Sequence, residues 1–123
     1  MFKYIFYIQN SFKMTNGDLP EISPQELKEK LDKKEKIVVL DVREDFERDI
    51  CKIGNSTHIP VGQVMERYSE LNPSDEIVTY CHKGGRSAYT TEFLIEKGYK
   101  NVKNLRGGIN AWANEVDPNM PKY

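Results

Sequence analysis

The stretch IVTYCHKGGRSAYTTEFLIEKGYKNV, residues 77–102, joins a strand pattern to a helix pattern through a glycine turn. Its first four residues predict a buried central strand, because strands that are covered on both faces read as short apolar runs. A helix pattern runs from Arg86 to Lys97, and Gly98 follows it as a typical helix-terminating glycine. Cys81 stands between the two patterns, so the chain places a thiol at the carboxyl end of a predicted strand.

Strand and helix patterns alternate through the rest of the chain. Ser23, Pro24 and Glu26 form a capping box with proline at the first helical position, which predicts a helix over 24–33. The other predicted strands are 37–40, 57–60 and 101–105, and the other predicted helical segments are 44–50, 61–71 and 109–115. This alternation predicts an α/β fold with a mostly parallel sheet and helices on both faces. Sites in such sheets form at the carboxyl ends of the strands, where Cys81 lies.

The composition fits one domain and disfavours several functional classes. A chain of 123 residues fits one compact domain, and a net charge of −1 gives no reason to expect nucleic acid or a membrane surface as a partner. Two cysteines do not make a disulfide framework, and the cysteines and histidines lack the spacing of a metal site. No apolar run approaches the roughly 20 residues that span a membrane. We therefore expect a reduced, cytoplasmic protein that needs no metal or organic cofactor.

The first residues have a different pattern from the rest. Residues 1–22 are rich in aromatics near their start and contain a second methionine, Met14. We interpret 1–22 as an N-terminal extension and 23–123 as the domain. The alternative is that the first segment forms an edge strand or a docking arm.

The loop after Cys81 suits an anion. Gly84 and Gly85 can adopt backbone angles that are closed to other residues, so the loop can point several N–H groups at one place. The start of the predicted helix adds positive potential, and His82, Lys83 and Arg86 add side-chain donors. Such surroundings lower the pKa of a thiol, and the thiolate is the nucleophilic form. The alternative is that Cys81 is a core cysteine at a strand end.

These residues resemble the active-site loop of rhodanese-type sulfurtransferases, Cys-x-x-Gly-x-Arg-Ser, which matches at Cys81, Gly84, Arg86 and Ser87. LDVRE (40–44) resembles the first-strand motif of that family, and NLRGGINAW (104–112) resembles its closing motif. The resemblance implies a rhodanese-like fold with a central five-stranded sheet. The segment from DVRED to the ending EVDPNMPKY is more closely similar to rhodanese domains fused behind adenylyltransferases of molybdopterin and thiamine biosynthesis.

The resemblance implies a role for each matching position. Cys81 would carry a persulfide, and the residues of the loop would bind the persulfide or the donor; these are His82, Lys83, Gly84, Gly85, Arg86 and Ser87. Asp41 and Arg43 would support the loop by hydrogen bonds, unless they form a surface ion pair of little energy. Arg86 would hold the loop or an anionic donor.

The resemblance also implies partners. The donor would be thiosulfate or the persulfide of a cysteine desulfurase. The acceptor would be a thiophilic molecule or a ubiquitin-like sulfur carrier, in a pathway that includes an adenylyltransferase. The sequence does not choose among these donors and acceptors, and it does not give the oligomeric state.

Two other functions stay open at this point. Cysteine-based phosphatases and arsenate reductases use a related loop with one residue more between the cysteine and the arginine, and the shorter loop here suits a single sulfur better than a phosphate. A non-catalytic binding module of the same fold is the other alternative, although this chain keeps the cysteine.

Four further residues need an interpretation. Cys51 could resolve an intermediate with Cys81, but partly buried packing is the commoner role of an isolated cysteine. His58 and Trp112 are expected to be structural, with Trp112 in the core or in a wall of the site. His82 is expected to be exposed at the mouth of the site with its ring facing outward.

Overall fold

The structure is a computed structural model, and it describes residues 19–123. Strands and α-helices alternate along this part of the chain. In chain order they are β1 (Glu21–Ile22), α1 (Pro24–Asp32), β2 (Val38–Asp41), α2 (Asp45–Ile50), β3 (Thr57–His58), α3 (Val64–Arg67), β4 (Ile77–Tyr80), α4 (Gly85–Glu96), β5 (Val102–Leu105) and α5 (Gly108–Glu115). Two 3₁₀ turns, Val61–Gln63 and Tyr68–Glu70, flank α3.

The five strands form one sheet in the order β1-β5-β4-β2-β3, and every described pairing is parallel. The predicted α/β fold with a five-stranded sheet is confirmed, with a sheet that is wholly parallel among the described residues. β4 is the middle strand and all four of its residues are buried, as its apolar run predicts. Because the strands are parallel, the segments that follow β2, β3, β4 and β5 all leave from the same edge of the sheet.

The two faces of the sheet carry separate hydrophobic clusters. Val78 and Tyr80 of β4 pack with Leu27 of α1 and Trp112 of α5 on one face. Ile77 packs on the opposite face, with residues of α3 and α4 such as Leu94. This alternation follows from the two-residue period of a strand, and it confirms that helices cover both faces.

Local sequence signals explain most of the helix ends. The Ser23 side chain accepts a hydrogen bond from the Glu26 N–H, and the Glu26 side chain accepts one from the Ser23 N–H, so the predicted capping box is present. Gly98 follows α4 with a φ of +94°, a conformation that favours glycine. The predicted helix over 61–71 is wrong in part, because only Val64–Arg67 is α-helical and the flanking residues form tighter turns.

The sheet begins before the predicted start of the domain. Glu21 and Ile22 pair with Asn104 and Leu105 of β5, and Ile22 is only 2% exposed. The predicted domain start at Ser23 omits this strand, because two residues give no periodic pattern. Residues 1–18 lie outside the described residues, so their assignment to an extension stays a prediction.

We found no helix of sufficient length and apolar character to cross a bilayer between residues 19 and 123.

We expect Ile22→Ala to lower the free energy of unfolding by about 2–4 kcal/mol, because the change leaves a cavity beneath the edge of the sheet. Urea unfolding followed by Trp112 fluorescence measures the loss. The matched control is Glu21→Ala at the neighbouring exposed position, which should cost less than about 0.5 kcal/mol. Equal small losses in both variants would show that β1 does not belong to the cooperative unit.

Candidate active site

Cys81 directly follows β4, at the carboxyl edge of the sheet where the sequence predicts a site. The residue is 1% exposed. Its Sγ accepts a hydrogen bond from the Gly84 N–H at 3.1 Å and lies 3.3 Å from Ser87 Oγ. Cys81 also packs against the apolar cluster of the α3–α4 face, so the core-cysteine alternative describes its burial but not these polar contacts.

The loop folds back over the sulfur because of Gly84. Its φ of +120° is a conformation that side chains rarely permit, and it aims the Gly84 N–H at Sγ. α4 begins at Gly85, so the N–H groups of its first residues have no carbonyl one turn earlier to bond. Together with the Gly84 N–H, this helix start makes the surroundings of Sγ electropositive.

A buried polar cluster supports the loop from below. Ser87 Oγ lies 2.6 Å from Asn104 Oδ1, and Asn104 Nδ2 donates to the Gly84 carbonyl at 3.2 Å. Thr91 Oγ1 lies 2.7 Å from Thr79 Oγ1 and 2.9 Å from the Ser87 carbonyl. Because these side chains are buried and bonded to one another, they fix the loop relative to β4 and β5.

The first residues of α5 form hydrogen bonds with the main chain of Cys81 and His82. The Ile109 N–H donates to the Cys81 carbonyl and the Asn110 N–H donates to the His82 carbonyl, both at 2.9 Å. A Cβ at Gly108 would lie 2.4 Å from the His82 carbonyl oxygen, and the φ of this glycine is +63°. The RGG segment therefore needs glycine at 108 for the close approach of α5 to the loop.

Arg86 makes a bidentate salt bridge with Glu47. Its Nη1 and Nη2 donate to the two carboxylate oxygens at 2.7 and 2.9 Å. The hydrogen bonds from Arg86 lower the pKa of Glu47 to about 2, although burial opposes the shift. Glu47 lies on α2, so the pair ties the start of α4 to the segment that follows β2.

Asp41 and Arg43 form a buried pair, which excludes the surface ion pair considered above. Both side chains are fully buried, and Arg43 Nε and Nη2 donate to the two Asp41 oxygens at 3.0 and 2.8 Å. Burial alone would raise the pKa of Asp41, but the hydrogen bonds from Arg43 and Tyr80 hold it below its usual value. The Cys51 carbonyl accepts from Arg43 Nη2 at 2.7 Å. The described contacts of Arg43 thus run to α2, to the turn after it and to Tyr123, and only indirectly to the cysteine loop.

His82 does not face outward as expected. Its ring stacks on the ring of Tyr123, with centroids 4.0 Å apart and planes 13° from parallel. The Tyr123 hydroxyl donates to Glu47 Oε2 at 2.8 Å and accepts from Arg43 Nη1 at 3.0 Å. Tyr123 therefore contacts both charged pairs, Glu47–Arg86 and Asp41–Arg43, and also His82, the residue that follows Cys81.

The remaining predicted residues divide into loop positions and packing positions. Lys83 and Gly85 are exposed at the mouth of the site. Cys51 is partly buried against the α1–α5 face, and it lines a small cleft beside His82 and Tyr123. His58 contacts the Arg43 carbonyl through Nε2, and Trp112 is buried in the core. Within residues 19–123 no group of three His, Cys, Asp or Glu side chains is placed to hold a metal ion.

Sequence reasoning missed three residues of this site. Asn104 gave a usable signal, since a polar residue inside a strand that is otherwise apolar needs a buried partner. Glu47 gave none, because a carboxylate on a short exposed helix resembles any solvated residue. Tyr123 was noted only as part of the chain ending that resembles the fused domains.

A comparison with known families identifies the family of this chain. Residues 23–115 match the family described as Rhodanese-like domain. The chain belongs to this family. A crystal structure of a rhodanese-related protein from Thermoplasma volcanium shares the fold, with a TM-score of 0.73, 34% identity and coverage of 79% of this chain and 93% of that one.

Two curated relatives bear on the context of this rhodanese-like domain. YrkF of Bacillus subtilis, whose name refers to a sulfur carrier protein, is 38% identical over 101 residues, which cover 82% of this chain. The adenylyltransferase and sulfurtransferase MOCS3 of Arabidopsis thaliana is 35% identical over 120 residues, which cover 83% of this chain. The predicted similarity to domains fused to adenylyltransferases is thereby confirmed.

These relatives are longer than the region they share with this rhodanese-like domain. The match covers 55% of YrkF and 25% of MOCS3. The similarity therefore concerns one domain of each relative.

We expect Glu47→Gln to lose stability in a pH-dependent way. The pKa of Glu47 is depressed in the folded state, so its ionised form stabilises the fold above its ordinary pKa, and this contribution is lost as the pH falls from about 5 towards 2. The variant should be less stable than the wild type at pH 7, and the difference should shrink between pH 5 and pH 2. Thermal unfolding at a series of pH values measures the difference, with the exposed Glu66→Gln as control. A difference that stays constant with pH would contradict the pairing.

Proposed function

We propose that this domain is a sulfurtransferase that carries sulfane sulfur as a persulfide on Cys81. The observation that supports the proposal best is the position of Sγ between the Gly84 N–H and the Ser87 hydroxyl, at the start of α4. Donors of this kind stabilise a thiolate, which is the form that attacks an electrophilic sulfur. The family and the names of the relatives support sulfur transfer as the reaction class.

In the first half-reaction the Cys81 thiolate attacks the outer sulfur of a donor. With thiosulfate, a new S–S bond forms to Sγ, the S–S bond of thiosulfate breaks, and sulfite leaves with the electron pair. The terminal sulfur of the persulfide then carries the negative charge. The loop residues from His82 to Ser87 are proposed to hold it, because the N–H groups at the start of α4 can bond a negatively charged sulfur.

In the second half-reaction the terminal sulfur passes to an acceptor. A nucleophile such as cyanide attacks it, forms thiocyanate and returns Cys81 to the thiolate. When the acceptor is an activated carboxylate, the persulfide instead attacks its carbonyl carbon and the activating group leaves. A second thiol then cleaves the resulting acyl disulfide, which releases the thiocarboxylate and leaves Cys81 in a disulfide with that thiol. The name of YrkF favours a sulfur-carrier protein as the physiological acceptor. Thiosulfate or a protein persulfide is proposed as the donor. Two separate half-reactions give ping-pong kinetics.

Arg86 is proposed to hold the loop rather than to bind the donor directly. Both described hydrogen bonds of its guanidinium run to Glu47, and the carboxylate neutralises much of its charge. Asp41 and Arg43 are proposed to support the same assembly from beneath, through the contacts of Arg43 with α2 and with Tyr123.

We expect Cys81→Ser to abolish persulfide formation. Incubation with thiosulfate should add about 32 Da to the wild type, since one sulfur atom becomes covalently bound, and should add nothing to the variant. Intact-mass spectrometry and the formation of thiocyanate from cyanide measure the two halves of the reaction. Cys51→Ser is the matched control and should still acquire one sulfur.

The same protein preparations separate the other two functions. Hydrolysis of p-nitrophenyl phosphate that is lost in Cys81→Ser, with no thiocyanate formed by the wild type, would favour a phosphatase. A wild type that takes up no sulfur from thiosulfate or from a protein persulfide, and hydrolyses no phosphate ester, would favour a binding module.

The role of Arg86 predicts a second result. Arg86→Ala should slow two reactions of Cys81 to a similar degree, about tenfold or more, because the loop loses its tie to α2 in both cases. The first is sulfur loading from thiosulfate, which releases sulfite, and the second is attack on a neutral organic trisulfide, which leaves a mixed trisulfide on Cys81 and releases a thiolate. Samples quenched at a series of times and analysed by intact-mass spectrometry give the rate with each donor. A loss confined to thiosulfate would show instead that Arg86 binds the anionic donor.

A further inference from the structure

The segment that follows α5 passes beside the candidate active site. We call residues 116–123 the C-terminal strap. Val116 and Met120 pack against the hydrophobic cluster of the α1–α5 face, and the Asp117 N–H donates to the Trp112 carbonyl at 3.0 Å. The first part of the strap is therefore held by the core at Val116, Asp117 and Met120, and Tyr123 follows Met120 by three residues.

The hydroxyl of Tyr123 bonds two charged side chains at once. It donates to Glu47 Oε2 at 2.8 Å, the same oxygen that accepts from Arg86 Nη2 at 2.9 Å. It also accepts from Arg43 Nη1 at 3.0 Å. Burial raises the pKa of Tyr123 to about 12, so the hydroxyl keeps its proton and its donor role at neutral pH. Glu47 is thus oriented by Tyr123 and Arg86, and its Oε1 also accepts from the Glu44 N–H at 2.9 Å.

The ring of Tyr123 makes a separate contact. It stacks on the His82 ring with centroids 4.0 Å apart, while the His82 carbonyl accepts from the Asn110 N–H at 2.9 Å. His82 is therefore held at its side chain by the strap and at its main chain by α5. Because His82 lies between Cys81 and the rest of the loop, a shift of His82 would displace the Gly84 N–H from Sγ.

We propose that Tyr123 is a positioning residue for sulfur transfer, acting on Arg86 through Glu47 with its hydroxyl and on the Cys81 loop through His82 with its ring. The proposal deepens the proposed function of Cys81 and depends on it. Tyr123 does not contact Sγ in the described hydrogen bonds, so its effect is on the geometry of the groups that do.

Two variants separate the hydroxyl from the ring. Tyr123→Phe keeps the stacking surface and removes the hydroxyl, whereas Tyr123→Leu removes both. Asn119→Ala, an exposed position of the same strap, is the matched control. All variants are made in the Cys51→Ser background, so that Cys81 is the only reactive thiol, and are studied well below their unfolding temperatures.

The first readout is the rate of Cys81 alkylation by iodoacetamide as a function of pH. We expect the midpoint of the pH profile to move upward in Tyr123→Leu, and less in Tyr123→Phe, because the thiolate loses well-placed donors. The sulfur-loading rate should fall by about three- to tenfold in Tyr123→Phe, the size expected for the loss of one hydrogen bond of ordinary strength, and further in Tyr123→Leu. Asn119→Ala should behave as the wild type.

The second readout is the proton NMR spectrum of His82, which is identified by its absence in His82→Gln. The stacked ring of Tyr123 should shift the His82 ring protons upfield. This shift should persist in Tyr123→Phe and disappear in Tyr123→Leu.

A third comparison tests the route through Glu47. The effect of Tyr123→Phe on the loading rate should vanish when Glu47 is already Gln, since the hydroxyl then has no carboxylate to orient.

A strap residue that only stabilises the fold would change the unfolding temperature and leave the alkylation profile of the folded protein unmoved. An unchanged alkylation profile in the Tyr123 variants, or a sulfur-loading rate equal to that of the wild type in both of them, overturns the proposal. If the wild type takes up no sulfur at all, the proposed function fails, and with it the role of Tyr123 in that reaction. The alkylation and NMR results would then report only the contact of the strap with the loop.

Discussion

The structure depends on a loop that closes over one buried sulfur atom. A polar atom that is buried without partners is costly, so Sγ of Cys81 requires polar neighbours at short range. The Gly84 N–H and the Ser87 hydroxyl, at the start of α4, lie next to it. Each requires a particular backbone path, and the path requires glycine at 84 and again at 108.

Two charged pairs outside the cysteine loop hold its backbone in this conformation. Glu47–Arg86 links α2 to α4, and Asp41–Arg43 links the end of β2 to the turn after α2. Removing one partner of such a pair leaves the other charge with little solvent, so each member of the two pairs needs its partner. Tyr123 joins the two pairs, so the assembly behaves as one unit rather than as independent contacts.

Much of this arrangement could be predicted from the sequence, for reasons that differ by residue. The position of Cys81 follows from an apolar run that ends at a cysteine, and the turn after it follows from the two adjacent glycines. The roles of Glu47 and Tyr123 could not be predicted, because they come from contacts between residues 39 and 76 positions apart in the chain. β1 was not predicted for another reason, because a strand of two residues is too short to show an alternation of apolar and polar residues. The stacking of His82 also needed the fold, because no local pattern brings the last residue of the sequence to the loop.

The lengths of the outer strands have a consequence for the behaviour of the protein in concentrated solution. β1 and β3, at the two margins of the sheet, are each two residues long. A margin this short offers few free amide and carbonyl groups for a foreign strand to pair with, and such shortness is one way in which natural sheets avoid intermolecular association. Between residues 19 and 123 the sheet therefore presents little edge that could pair with another chain.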